Sequence, residues 1–237
     1  RSGSLFLSND KYISKKIFDF HRIPYPDFFF VPMGGEVVIP KNLPFPLFVK
    51  PVHEDASIGV DENSKVQDEE SLKKKVKEIH EVIKDDALVE EYIEGREFFV
   101  SIVGNEVLKP FEIVELDFSR LPQGKPKIYT YKAKIETESE EYKLIDIKVP
   151  QDLTPELKGK IQEIAIKVYE VLGASDYARM DIRMNAEGKL YVLEANLNPY
   201  LAQNSETAIA AEASGLSYEH LIGGLVEEAL SRASSKI

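Results

Sequence analysis

Two acids and an amide in the second half of the chain have the types and spacing to hold a cation. Asp181 lies in the run 178–184, and Glu194 and Asn196 lie in and just after the run 190–195. These runs flank Asn185-Ala-Glu-Gly188 and read as a hairpin with a polar turn. Side chains alternate along a strand, so Glu194 and Asn196 share a face, and the hairpin can bring Asp181 opposite them. Three oxygen donors then converge, with no sulfur or imidazole among them. Hard oxygen ligands with few carboxylates suit Mg²⁺ or Mn²⁺ held jointly with substrate phosphates. The alternative at this point is a solvated hairpin edge with scattered acids.

Four further features bear on phosphate chemistry. Lys50 closes the apolar run Leu47-Phe-Val-Lys50, an awkward place for a charge without a partner. His53-Glu-Asp-Ala-Ser-Ile-Gly-Val60 follows, a small-residue loop able to present backbone N–H groups to an anion, though it lacks the Walker pattern. Glu90-Glu-Tyr-Ile93 ends another strand, and Gly95-Arg-Glu97 opens the next. A carboxylate at such a crossover can accept from an adenine amino group while neighbouring backbone atoms read the ring edge. Tyr129-Thr-Tyr-Lys-Ala-Lys134 adds a further lysine pair. Judged singly, each also reads as something ordinary: a snorkelling lysine, a turn, a surface acid pair, a solvated loop.

Periodicity supplies the elements that must position these groups. Residues 10–20 place Ile13, Ile17 and Phe20 on one helical side, and Ile23-Pro-Tyr-Pro26 stops the helix. Residues 28–31 and 47–50 read as short buried strands. Residues 69–84 repeat Leu72, Val76, Ile79 and Ile83, an amphipathic helix whose cluster Lys73-Lys-Lys-Val-Lys77 forms a solvated face. Strands are expected over 88–93, 98–103 and 107–114, with Gly104-Asn105 as a hairpin turn. Thr154-Pro155 starts a helix with Leu157, Ile161, Ile164, Val168 and Leu172 as its buried stripe, closed by Gly173. The hairpin follows, then helices over 206–213 and 218–231. Residues 117–143, poor in apolar positions, read as a mobile loop.

Composition removes whole classes. At 237 residues and 43% hydrophobic, the chain allows one large or two small domains. A net charge of −11 and the lack of a long basic tract exclude a nucleic-acid backbone reader. The absence of cysteine excludes disulfides and thiolate metal sites. No apolar run approaches membrane-spanning length and no signal peptide is visible, so a soluble, cytoplasmic chain without membrane partners is expected. His21, His80 and His220 fall in helical patterns as structural residues, and His53 stands beside the phosphate loop.

The order of the motifs favours the phosphate reading of each. Lysine-tipped strand, small-residue loop, Glu90-Glu-Tyr-Ile93, Gly95-Arg-Glu97, loop Lys134, Arg179-Met-Asp181 and Glu194-Ala-Asn196 together resemble the ATP-grasp superfamily. The branch is that of the D-alanine–D-alanine ligase-like carboxylate–amine ligases. The resemblance runs from Asp10-Lys11, similar to that branch's Asp-Lys helix start, to Gly215-Leu-Ser-Tyr218, nearly the whole chain. It implies an α+β ATP-grasp fold with two α+β subdomains, 10–93 and 94–237, clasping ATP, and with 1–9 as a linker or N-terminal remnant. Such ligases carry an N-terminal α/β domain ahead of the Asp-Lys helix. That pre-ATP-grasp domain is expected to be absent here, either removed, supplied by another chain, or dispensed with.

Residue by residue, the resemblance assigns Lys50 and Lys134 to the ATP phosphates, with Lys11 a further candidate, and Ser57 to the flap over them. Glu90 and the backbone of Glu91, Tyr92 and Ile93 would contact adenine, Glu97 the ribose, and Leu193 the adenine face. Asp181, Glu194 and Asn196 match the magnesium ligands, in agreement with the hairpin reading. Arg179 falls on the arginine that supports the transferring phosphate and the tetrahedral intermediate. The implied reaction is attack of a substrate carboxylate on the γ-phosphate, giving an acyl phosphate from which an amine displaces phosphate to form an amide. Mg²⁺, the lysines and Arg179 would neutralise the charge that spreads over the transferred group.

Departures from the pattern bear on the substrate. Dipeptide-forming members have two adjacent serines in the small-residue loop, where this chain has Ala56-Ser57, and a tyrosine after the loop lysine, where it has Ile135. They follow the metal-binding Asn with Pro-Gly, where this chain has Pro199-Tyr200. A retained nucleotide and metal set beside an altered dipeptide set implies a larger acid or amine than D-alanine, with Tyr200 lining the acceptor side and Ser205 near it. The leading expectation is therefore an ATP- and Mg²⁺-dependent carboxylate–amine ligase that is not a strict D-alanine–D-alanine ligase. Its partners would be a small-molecule carboxylate and amine, and a homodimer stays open. The rivals are an ATP-binding module or fragment without turnover, and an ATP-grasp kinase or acyl-CoA-forming subunit.

Overall fold

Short β-branched and aromatic runs set between prolines make the first of two antiparallel sheets in this computed structural model, which describes residues 2–234. It contains β1 (Phe28–Val31), β2 (Leu47–Pro51), β3 (Lys65–Val66) and β4 (Ala87–Glu91), in the order β1-β4-β2-β3. Two helices precede it, α1 (Ser2–Asn9) and α2 (Lys11–Phe20). Asp10 caps α2 by accepting from the Ile13 N–H. The buried face of α2 carries Lys11, Ser14, Lys15 and Phe18, while Phe20 is exposed. The helix therefore turns two lysines inward, where buried acceptors await them. Of the expected side, Ile17 packs on the core, Ile13 is half-buried and only Phe20 faces out. Residues 2–9, expected as a linker or remnant, form α1, where Ser4 Oγ donates to the Gly173 carbonyl at 2.6 Å. Arg1 and residues 235–237 lie outside the described residues.

α3 (Glu69–Glu78) opens on a capping box between Asp68 and Ser71 and lays Leu72 and Val76 on the first sheet. Its continuation widens into a π-helix over Ile79–Ile83. The lysine cluster is not wholly solvated. Lys75 is 2% exposed, held by Asp61 at 3.1 Å and Glu78 at 2.9 Å.

The second sheet contains β5 (Arg96–Val103), β6 (Lys109–Pro110), β7 (Val114–Asp117), β8 (Asp146–Lys148), β9 (Tyr177–Met184) and β10 (Leu190–Asn196). Its order is β10-β9-β5-β7-β8, with β6 paired to β5. The strand expected over 107–114 is reduced to β6, since Pro110 has no N–H to donate to the ladder. The expected loop 117–143 contains two one-turn helices, α4 (Tyr131–Ile135) and α5 (Glu140–Leu144). On one face of the sheet α6 (Pro155–Val171) packs Ile161, Ala165 and Val168 against Val100, Ile102, Met180 and Ile182. On the other lie α7 (Glu206–Ala213) and α8 (Tyr218–Ser234), with Ala210 and Leu221 against Phe99 and Leu116. No helix among the described residues is long and apolar enough to cross a membrane.

The two sheets are joined by Tyr92-Ile-Glu-Gly95. Gly95 has φ +152°, and a Cβ there would lie 1.9 Å from the Met184 carbonyl oxygen. Only glycine lets the crossover pass this close to β9.

Candidate active site

The hairpin of β9 and β10 brings Asp181, Glu194 and Asn196 together. Glu194 pairs with Asp181 and Asn196 with Arg179, and the ladder shifts between Val192 and Glu194. Leu193 is therefore a bulge residue, and both it and Glu194 line the same cleft. The Asn196 Nδ2 donates to Asp181 and to Glu194, each at 3.3 Å. Burial pushes Asp181 up to about 7 even though Arg179 stands beside it, and Glu194 adds to the rise. Burial also works against the charge on Glu194, but Lys11, Lys50, Lys134 and Arg179 outweigh it and hold that carboxyl down at about 2. Two carboxylates and an amide that can turn its oxygen toward them make a donor set that fits a hard divalent cation.

Arg179 is fixed from both sides. Its Nε and Nη2 donate to the two oxygens of Asp181 at 2.7 and 2.9 Å, and Nη1 donates to Glu206 at 2.8 Å. The guanidinium stacks 4.7 Å from the centroid of Phe99. Glu206 arrives because Ser101, the β5 partner of Arg179, donates to Thr207 at 2.9 Å and docks the start of α7 there.

A cleft of about 840 Å³, counted out to its open mouth, lies between the sheets. Lys11, Lys50, Ser57, Glu90, Glu91, Tyr92, Ile93, Glu97, Lys134, Asp181, Leu193 and Glu194 all line it, so residues expected at one nucleotide site do share one cavity. Lys50 comes from the first sheet and Lys134 from α4, as a clasp requires. Burial lowers Lys11, with Glu194 opposing the fall, and its Nζ donates to the carbonyls of Val52 and Glu54.

Glu90 differs most from expectation. One carboxylate oxygen meets Lys15 at 2.5 Å and the other meets Lys50 at 2.9 Å, with all three groups buried. The Lys15 contact is close but poorly aligned for a hydrogen bond, so it acts as a charge contact. Burial brings Lys15 down to about 8 against the pull of Glu90. For Lys50 burial is outweighed by Glu90 and Glu194, and its affinity for the proton rises. Glu90 is thus first a counter-ion to two lysines.

Ser57 Oγ donates to the Tyr129 carbonyl at 2.9 Å, tying the small-residue loop to the segment before α4. Ala56 and Ser57 adopt φ of +53° and +61°, a left-handed pair that neither residue favours. His53 turns away from the cleft to Asp85, at 2.6 Å, as a structural contact.

The comparisons with known proteins agree with this geometry. The family profile described as D-ala D-ala ligase C-terminus matches residues 32–227. The chain belongs to that family. An uncharacterized protein of Sinorhizobium fredii, y4sG, is 34% identical over 94% of this chain and 63% of its own length. A D-alanine–D-alanine ligase of Pseudoalteromonas translucida is 33% identical over 78% of this chain and 54% of its own. The solved D-alanine–D-alanine ligase of Bacillus anthracis complexed with ATP superposes with a TM-score of 0.79 at 26% identity, covering 99% of this chain and 70% of that one. The α+β ATP-grasp fold expected from the sequence is therefore the fold found. The chain spans less than two-thirds of the length of the Sinorhizobium and Pseudoalteromonas relatives.

A second cavity of this D-ala D-ala ligase family member adjoins the cleft, and Asp55, Ala56, Tyr129 and Lys134 border both. Arg179, Asn196, Tyr200 and Ser205 line it, as does Ile135, so the three departures Ala56, Ile135 and Tyr200 face one space. Tyr200 is 69% exposed, whereas Ser205 is buried and caps α7 by accepting from the Ala208 N–H. Sequence reasoning did not find Lys15, Arg183 or Glu206. Lys15 is hidden in an ordinary lysine pair on a helix, and Glu206 reads as a first-turn acid suited to the helix dipole. A charge at Arg183, inside a strand otherwise buried, was the one visible signal.

Proposed function

We propose that this chain is the nucleotide-binding and phosphoryl-transfer portion of an ATP- and Mg²⁺-dependent carboxylate–amine ligase. The observation that carries the reading is the convergence of Lys11, Lys50 and Lys134 with Asp181 and Glu194 on one cleft. Arg179 stands beside it on the adjoining cavity. The lysines bind the polyphosphate as point charges, and the crossover Glu91-Tyr-Ile93 offers backbone groups to the adenine edge. Asp181, Glu194 and Asn196 would hold the cation, which supplies Lewis-acid neutralisation of phosphate charge when bound. Arg179, already locked by Asp181 and Glu206, needs no reorganisation to meet developing charge on the transferred phosphoryl group and on the acyl centre. A carboxylate bound in the second cavity attacks the γ-phosphorus as the bond to the bridging oxygen breaks and ADP leaves. An amine then displaces phosphate from the acyl phosphate, losing a proton, to leave an amide. The relatives named D-alanine–D-alanine ligases support this class of reaction.

The acid or amine is larger than D-alanine in this reading. Ile135, Tyr142, Ile147, Tyr200 and Ile209 add apolar surface to the second cavity, which also carries Asp55, Lys134, Asp146, Arg179 and Glu206. The apolar surface that Ile135 and Tyr200 add is better covered by a larger acid or amine than by D-alanine.

The test is amide formation and phosphate release with ATP and Mg²⁺ across a panel of carboxylates and amines, read by product mass. D-alanine should be a poor substrate, and efficient formation of D-alanyl-D-alanine would sink the substrate reading. Glu194→Gln should lower Mg²⁺-dependent turnover by roughly 100-fold or more while the melting curve stays native-like. Unchanged turnover in that variant would remove the metal assignment.

A further inference from the structure

The cleft contains one buried charge to which the reading above gives no role. Arg183 stands on β9 two residues beyond Asp181, lines the cleft and is 5% exposed. It lies directly across from Glu97 of β5 in the ladder. Nη2 meets the Glu97 carboxylate at 2.8 Å and donates to the Lys127 carbonyl at 2.6 Å, and Nη1 donates to the Ile93 carbonyl at 3.1 Å. Nε has no acceptor among the described residues. Three partners from three segments (the crossover, β5 and the loop before α4) are therefore gathered by one planar fork, a geometry an ammonium cannot reproduce.

A glutamate at the start of a strand has three rotatable bonds and no fixed carboxylate position. Here Arg183 holds Oε2 of Glu97 by a charge contact at 2.8 Å, which restricts where the carboxylate can stand. The carboxylate lines the cleft beside the crossover residues Glu91, Tyr92 and Ile93. An acceptor held this way, with its charge partly balanced, suits a pair of neighbouring hydroxyls better than it suits a cation.

We propose that Arg183 is a positioning residue that holds the Glu97 carboxylate as a fixed acceptor for the ribose hydroxyls, and so sets the preference of this cleft for a ribonucleotide. The inference rests on the nucleotide reading of the cleft. Calorimetric titration of the 237-residue chain with ATP and with 2′,3′-dideoxy-ATP, both with Mg²⁺, tests it. The wild-type chain should bind ATP about tenfold or more tighter than the dideoxy nucleotide, as expected for hydrogen bonds to a charged acceptor. Arg183→Met should bring that ratio to within about twofold by weakening ATP alone. Equal weakening of both nucleotides, with the ratio kept, shows a mere strut and overturns the inference. Should Arg183→Met not fold, Arg183→Lys carries the same readout. Its ammonium cannot serve all three partners, so the ratio should fall at least about threefold, and an unchanged ratio overturns the proposal. A wild-type chain that binds both nucleotides equally overturns the ribose reading of Glu97, and one that binds neither overturns the nucleotide reading itself.

Discussion

Glu90 stands between two buried ammonium groups, and that arrangement changes what its removal should do. A surface carboxylate in an adenine pocket could be deleted at a cost in selectivity alone. A buried counter-ion cannot, because Lys15 and Lys50 would be left as uncompensated charges. Breaking such a pair by removing one partner costs about 3–5 kcal/mol. Glu90→Ala should therefore lose stability on that scale in chemical denaturation, before any change in ATP over GTP preference can be read. A loss below about 1 kcal/mol would mean that the two lysines find other partners. Selectivity is better probed with Glu90→Gln, which keeps an acceptor and the side-chain volume.

At the scale of elements, the bulge in β10 and the glycine at the crossover do most to shape the cleft. In an unbroken strand Val192 and Glu194 would share a face, yet Val192 is in the core opposite Ile182 and Glu194 is opposite Asp181 in the cleft. The extra residue, Leu193, makes this reversal and places an apolar side chain beside the carboxylate. Gly95 lets the chain pass from the first sheet to the second against the Met184 carbonyl. Gly95→Ala combines a backbone conformation forbidden to L residues with a Cβ only 1.9 Å from a carbonyl oxygen, so it should destabilise by more than about 3 kcal/mol or abolish soluble expression. A native-like melting temperature for this variant would show that the crossover can take another path.

For the whole molecule the question is how the cleft opens and closes. The small-residue loop and the segment before α4 meet across the mouth through Ser57 and the Tyr129 carbonyl, and through the Tyr131 N–H and the Val60 carbonyl at 3.2 Å. Lys125 and Glu62 add an ion pair between the same two segments. A few polar contacts around a left-handed Ala56-Ser57 pair, each such residue costing of order 1 kcal/mol, form a latch that can release. ATP with Mg²⁺ should slow amide hydrogen exchange in residues 54–60 and 127–135 together by about tenfold or more. Ser57→Ala should speed exchange in both segments without ligand. Protection confined to one segment would show that they do not close as a unit.

The sequence alone determined which chemistry-bearing residues occur and the local frames that carry them. Alternation along β9 and β10 aligned Asp181, Glu194 and Asn196, Thr154 and Gly173 bounded α6, and the motif order implied the α+β ATP-grasp fold. These follow from backbone periodicity and capping, which act over a few residues. What only the tertiary structure decided is which charges meet. Lys15 reaches Glu90 across 75 positions, Arg179 reaches Glu206 across 27, and Arg183 gathers Ile93, Glu97 and Lys127. The helix read with Ile13, Ile17 and Phe20 on one side also buries Lys11 and Lys15, and leaves Phe20 exposed. Apolar spacing missed these lysines because hydropathy counts a lysine as solvated, whereas folding supplied acceptors for them. Ion pairs of this range depend on distances fixed only when both sheets are in place, and no local pattern encodes them.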